Sequence, residues 1–146
     1  MSAIDVKKVE TILGLINTHE VEQLLNHYEE ECTFQNPFMD QPKKGKQAVK
    51  EAVGSLLSSF PDLRFAAKAV AVTGNTAAIH WSASGTGQGE LSLPNGTKVP
   101  VSNKKLSYDG ATFLTFSDRG LILQHRVIFD SASVGRQLGI PPAWLS

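Results

Sequence analysis

SYDGATFLTFSDRGLILQHRVIFDSASVGRQLG, residues 107–139, is the stretch whose reading decides the fold. On either side of SDRG, apolar and polar residues alternate with a period of two, which predicts two strands joined by a turn and therefore an antiparallel pair. After Asp130 the alternation stops. SASVGRQL then reads as a short helix ending at Gly139.

Asp130 stands where strand meets helix, and its type and place admit two readings. As an N-cap it accepts hydrogen bonds from the first free N–H groups of the helix. As a general acid/base it needs a partly dry pocket, where desolvation raises a carboxyl pKa toward useful proton exchange. The readings oppose each other, because cap bonds and the helix dipole stabilise the charged form. Ser131 or Ser133 could cap the helix instead and free Asp130. Strand parity puts Gln124, Arg126, Ile128 and Asp130 on one face and Leu123, His125, Val127 and Phe129 on the other.

Upstream, the period of two extends back to Leu63 through LRFAAKAVAVTG and TAAIHWSASGTGQGELSL, punctuated by the turn signals TGN and LPNGT. Before Leu63 the spacing is helical. Ile4, Val6, Val9, Ile12, Leu13 and Ile16 mark a first amphipathic helix. Asn17 and Glu20 have capping-box spacing ahead of VEQLLNHYEEE, where Val21, Leu24, Leu25 and Tyr28 share a face of a second. CTFQNP reads as a short strand stopped by Pro37, and KQAVKEAVGSLLSSF as a third helix opened by Gly45 and stopped by Pro61. Helices first and strands later predict an α+β domain whose sheet folds over the helices. No linker or repeat divides residues 1–146, so one domain is expected; PPAWLS forms a tail whose Trp144 either folds back or awaits a partner.

The chain has 146 residues, 41% hydrophobic and 19% charged, enough to bury a core. Fourteen basic and fourteen acidic residues give zero formal charge, so no long-range field attracts nucleic acid or an anionic membrane. No apolar run approaches membrane-spanning length, the N-terminus lacks signal-peptide form, and Cys32 is the only cysteine, so a cytoplasmic location is expected. The four histidines lack metal-ligand spacing, and GxGxxG, GxxxxGK[ST] and GxSxG motifs are missing, which argues against metal, nucleotide and serine-nucleophile chemistry.

SGTGQGEL, LPNGTKV and then SYDGATFLTFSDRGLILQHRVIFDSASVGRQLG resemble the GTH-x-GE, PTGK and DG-x-x-x-F-x-F…D…QLG pattern of SnoaL-like polyketide cyclases. These belong to the nuclear transport factor 2-like, or ketosteroid isomerase-like, superfamily. The resemblance covers nearly the whole chain. It implies a cone-shaped α+β fold, with N-terminal helices packed in a curved antiparallel or mixed sheet around a pocket. It also implies a small hydrophobic ligand, no cofactor, and a homodimer through the outer sheet face. In the cyclases a carboxylate ending the last long strand is the acid/base, and Asp130 matches that position. A helper His is often found two residues earlier, where this chain has Ile128.

The FQNP segment resembles the limonene epoxide hydrolase branch, which implies pocket positions for Phe34 and Asn36. That branch also uses an Arg and an Asp on the middle strand, where this chain has Ser82 and Ser84, so epoxide hydrolysis by that route is disfavoured. If the middle strand follows that frame, His80 faces inward.

The expectation is thus a cofactor-independent cyclase or isomerase for a hydrophobic carbonyl compound. Asp130 would move the proton, and Asn36, His80 or Arg126 would stabilise the enolate oxygen. Tyr28, Phe34, Phe38, Met39, Phe113 and Ile128 would line the pocket. The alternative is a non-catalytic module that binds a lipophilic ligand or dimerises, with Asp130 a satisfied cap.

Overall fold

In the computed structural model, which describes residues 4–141, the change of period at Leu63 becomes a change of layer. Helices α1 (Val6–Asn17), α2 (Val21–Leu25) and α3 (Lys46–Ser59) surround the short strands β1 (Tyr28–Gln35) and β2 (Lys43–Lys44) in sequence. There follow β3 (Arg64–Thr73), β4 (Thr76–Thr86), the small hairpin β5 (Glu90–Ser92) and β6 (Lys98–Pro100), β7 (Lys105–Phe116), β8 (Ile122–Phe129) and α4 (Ser131–Leu138). Trp144 lies outside the described residues.

Six strands form one mixed sheet in the order β2-β1-β8-β7-β4-β3. The pairs β3–β4, β4–β7 and β7–β8 are antiparallel, as the turn signals predict. β1 adds to β8 in parallel, which brings residues near 30 beside residues near 125. That pairing carries the N-terminal segment to the strand that precedes Asp130.

Three local expectations are corrected. α2 stops at Leu25 and Tyr28 opens a strand, so the second helix is five residues long. Asn17 does not cap it: its side-chain amide donates to the Phe65 carbonyl oxygen at 2.9 Å and accepts from the Phe65 N–H at 2.7 Å, tying α1 to the start of β3. A pair of backbone-like bonds to a strand end satisfies the amide better than one cap bond. The TGQGELSL tail of the second expected strand is also interrupted. Gly87 passes so close to Val101 that a Cβ there would lie 2.1 Å from its carbonyl oxygen, and β5 then pairs with β6 across the LPNGT turn.

The core lies between the concave face of the sheet and α1, α3 and α4. Val9, Ile12, Leu24, Val49, Val53 and Leu57 from the helices meet Ile79, Trp81, Leu114, Phe116 and Ile122 from the sheet. No helix among the described residues is long and apolar enough to cross a membrane.

Candidate functional site

The same concave face does not close completely. It surrounds a cavity of about 470 Å³, within the size range of small-molecule sites. Sheet residues Phe34, Phe65, Ile79, Trp81, Tyr108, Thr112, Leu114, His125, Val127 and Phe129 form one wall, and Ile12, Leu13, Ile16, Ala52 and Leu56 come from α1 and α3. The exposed lining residues Lys43, Glu51, Ser92 and Gly96 mark the mouth.

The aromatic side chains form a continuous wall. Phe65 meets Trp81, Trp81 meets Tyr108, Tyr108 meets Phe129 and Phe129 meets Phe38, each edge to face with centroids 4.9 to 5.4 Å apart. Such contacts fix ring orientations beyond what burial alone does. The Trp81 indole N–H donates to Thr112 Oγ1 at 2.9 Å, which satisfies its one polar atom.

Parity along β8 is as the alternation predicts from His125 onward, but the faces are exchanged. His125, Val127 and Phe129 point into the cavity, while Gln124, Arg126, Ile128 and Asp130 do not line it. An irregularity in the β7–β8 register leaves both Leu123 and Gln124 exposed, so Ile122 and His125 are the successive inward residues. The physical reason for the orientation is burial: the face carrying Val127 and Phe129 is the more apolar and takes the core side.

Asp130 is therefore corrected from pocket acid to cap. It is exposed, its Oδ1 accepts from the Ser133 N–H at 3.0 Å, and it is the N-cap of α4. Gly139, in the left-handed region at φ 70°, closes the other end of that helix. Arg126 and His80 are exposed on the convex face and do not line the cavity. Phe113 and Ile128 are on that face too, 40% and 46% exposed. Arg126 and Ile128 follow from the face given to Asp130 and His80 from that given to Ser82 and Ser84, whereas Phe113 rests on its aromatic type alone.

Asn36, Phe34, Phe38 and Met39 do line the cavity. Asn36 also makes the turn that its neighbour Pro37 suggests. Its Oδ1 accepts from the Phe38 N–H at 2.9 Å and its carbonyl from the Met39 N–H at 3.0 Å, folding Phe38 and Met39 inward. Asn36 Nδ2 donates to no described residue.

The polar groups on the cavity wall that the sequence reading leaves out of the site are His125, which parity sets opposite Asp130, and Tyr108, which it does not single out. His125 is 5% exposed; its Nδ1 lies 2.6 Å from the Tyr28 hydroxyl, with the Phe34 ring edge-on at a centroid distance of 4.8 Å. Burial lowers its pKa to about 4, so the imidazole is neutral at neutral pH. Tyr28 is a fully buried neighbour behind this ring and does not itself line the cavity. Burial raises both the Tyr28 and Tyr108 phenols, which stay protonated.

Among the described residues no fully buried side-chain nitrogen or oxygen lacks a hydrogen-bond partner. His125 Nε2 and the Tyr108 hydroxyl make no such bond with any described residue, so neither is fully buried, and both side chains line the cavity. With the Asn36 amide they present unused polar atoms to a largely apolar space, the arrangement that orients a ligand. The sequence signal for both was available: each alternates in phase with Val127 and Phe129 or with Leu106 and Leu114.

The curved mixed sheet, the helices across its concave face and the cavity between them define a nuclear transport factor 2-like fold of the ketosteroid isomerase type. The family model for SnoaL-like polyketide cyclases matches residues 7–138, and the chain belongs to that family. A provisionally assigned SnoaL-like polyketide cyclase of Jannaschia sp. CCS1 superposes with a TM-score of 0.77 at 20% identity, covering 97% of this chain and 98% of that one. A protein of Catenulispora acidiphila with a ketosteroid isomerase-like fold, in complex with trimethylamine, gives 0.74 at 13% identity over 97% and 98%. An epoxide hydrolase of Mycobacterium tuberculosis resembling the limonene enzymes gives 0.67 at 10% identity over 91% and 87%. No curated protein matches the sequence.

Proposed function

We propose that the cavity takes up a hydrophobic carbonyl compound and promotes cofactor-independent proton transfer beside its carbonyl group, as an aldol-type cyclisation or an isomerisation requires. The observation that carries this reading is His125, a buried neutral imidazole anchored through Nδ1 with Nε2 unused in an apolar cavity. His125 hydrogen-bonds the substrate oxygen, and the Asn36 amide contributes from the turn; the Tyr108 hydroxyl, six residues along β7 from the residue opposite His125, orients a more distant polar group of the substrate. As a proton leaves the α-carbon, its bonding electrons move onto that oxygen, and the enolate charge meets the His125 donor. A well-placed donor at a developing oxyanion contributes about 3 kcal/mol to the barrier reduction.

Asp130 takes no part. The acidic lining residue is Glu51 at the mouth, so the proton passes to Glu51 or to water there and returns to carbon by the same route. That suits a carbon acidified by two flanking carbonyls, which needs no strong base. The family membership supports such a substrate.

The test is deuterium uptake by 1-(2-naphthyl)butane-1,3-dione in D2O, followed by proton NMR. Acceleration by the protein above buffer is expected. Saturable binding without acceleration would replace this reading with the non-catalytic one.

A second copy of the chain covers the convex face. Phe113 and Ile128 support this: they are diagonal neighbours there, since Ala111 pairs with Ile128 and Phe113 with Arg126. Exposed clustered apolar side chains favour such contacts. Sedimentation velocity is expected to give a dimer mass that Phe113→Lys reduces to monomer; a monomeric parent chain would refute it.

A further inference from the structure

We infer that Tyr28 is a positioning residue that fixes the tautomer of His125, so that the cavity offers its ligand an Nε2–H donor and selects an acceptor oxygen at that point. The inference rests on the reading above for what the ligand is, but the position of the proton on His125 is open to direct observation whether or not the cavity catalyses anything.

The Tyr28 hydroxyl and His125 Nδ1 are 2.6 Å apart, and one proton lies between them. Either the phenol donates to Nδ1, or Nδ1–H donates to the phenol oxygen. Tyr28 is 1% exposed, and its hydroxyl has no other partner among the described residues. In the second arrangement the phenol proton points at no acceptor inside the core, a buried unpaired donor that proteins avoid. In the first, the phenol proton is used, Nδ1 is the acceptor, and the remaining ring proton resides on Nε2.

The ring is held for this purpose on two sides. The Tyr28 ring lies nearly parallel to it, with an interplanar angle of 13° and a centroid distance of 5.9 Å that fit an in-plane approach of the hydroxyl to Nδ1, and Phe34 packs edge-on against it. Tyr28 and Phe34 both belong to β1, which pairs in parallel with β8 at Tyr28–Ile122 and Phe34–His125. The N-terminal strand thus sets the chemistry of a residue 97 positions away. A neutral Nε2–H donates and cannot accept, so at this point the cavity rewards a ketone or ester oxygen and leaves a hydrocarbon analogue with an unpaired donor.

The experiment uses the full chain labelled with nitrogen-15 and long-range proton–nitrogen correlation of the imidazole at neutral pH. The expected pattern has a protonated Nε2 and an unprotonated Nδ1 for His125. An Nδ1–H pattern would overturn the inference, because His125 would then present a lone pair. In Tyr28→Phe the pattern is expected to shift toward a mixture; an unchanged pure Nε2–H form would show that Tyr28 does not set it.

Binding supplies the second arm. 2-Acetylnaphthalene is expected to bind at least about tenfold more tightly than 2-ethylnaphthalene, and equal affinities would overturn the selection of an acceptor. Should Tyr28→Phe fail to fold, the parent tautomer and the affinity ratio decide. Absent deuterium uptake with the Nε2–H form intact would remove the catalytic reading alone.

Discussion

Acidification from about pH 7 to about pH 4 is expected to remove on the order of 3 kcal/mol of folding stability through His125 alone. The imidazole has its ordinary value of 6.5 in the unfolded chain and about 4 in the folded one, lowered by burial. Between those values the unfolded chain binds a proton that the folded chain does not. Stability therefore falls as pH drops through that window and levels below it. The groups packed on the ring, Tyr28 and Phe34, are uncharged and do not compensate. His27, lowered by partial burial and by Lys8, adds a contribution of the same sign, so the quantity to read is the difference between the parent chain and His125→Gln. Urea unfolding across the pH range should show a shallower acid slope in the variant; parallel slopes would mean that His125 is not a buried neutral group.

Gly110→Ala is expected to destabilise the fold by about 3 kcal/mol and to shrink the cavity. A Cβ at Gly110 would lie 2.5 Å from the end of the Trp81 ring and 2.8 Å from the Ile128 carbonyl oxygen. Neither neighbour can give way cheaply. Trp81 is held by Phe65, by Tyr108 and by its bond to Thr112, and the Ile128 carbonyl belongs to the paired β8 backbone. The glycine of the DG motif is thus the space into which the cavity's largest aromatic extends. Urea unfolding and 2-acetylnaphthalene affinity measure the two effects, and a loss below about 1 kcal/mol with affinity retained would show that Trp81 is free to move.

Much of this was legible in the chain. α1, α3 and the β3–β4 and β7–β8 hairpins follow from spacing and from Gly- and Asn-containing turns, because those signals are local. The helical spacing runs past the end of α2 because NHYEEE is compatible with a helix; β1 forms there through parallel pairing with β8, a long-range contact that no local period reports. The FQNP resemblance points Phe34 and Asn36 to the cavity, and Phe38 and Met39, apolar neighbours of that segment, reach it through the turn that Asn36 makes.

The harder part was the choice of face. Alternation separates His125, Val127 and Phe129 from Arg126, Ile128 and Asp130 but does not state which set is inside. The resemblance favoured the carboxylate side, whereas burial of Val127 and Phe129 favours the other. His80 faces outward because the hydrolase frame does not hold on β4, Phe113 because an aromatic type alone does not name a face, and the exposed Leu123 reflects a register irregularity invisible to a simple count of two.

The two faces of β8 can be set against each other in one assay: deuterium uptake by 1-(2-naphthyl)butane-1,3-dione with Asp130→Asn and with His125→Phe. Asparagine is as good an N-cap as aspartate, so Asp130→Asn removes the carboxylate while keeping the helix start. The expected result is uptake at the parent rate for Asp130→Asn and a loss of about a hundredfold for His125→Phe, with circular dichroism confirming that both are folded. Uptake abolished by Asp130→Asn and retained by His125→Phe would contradict the assignment of the His125 face as the functional one.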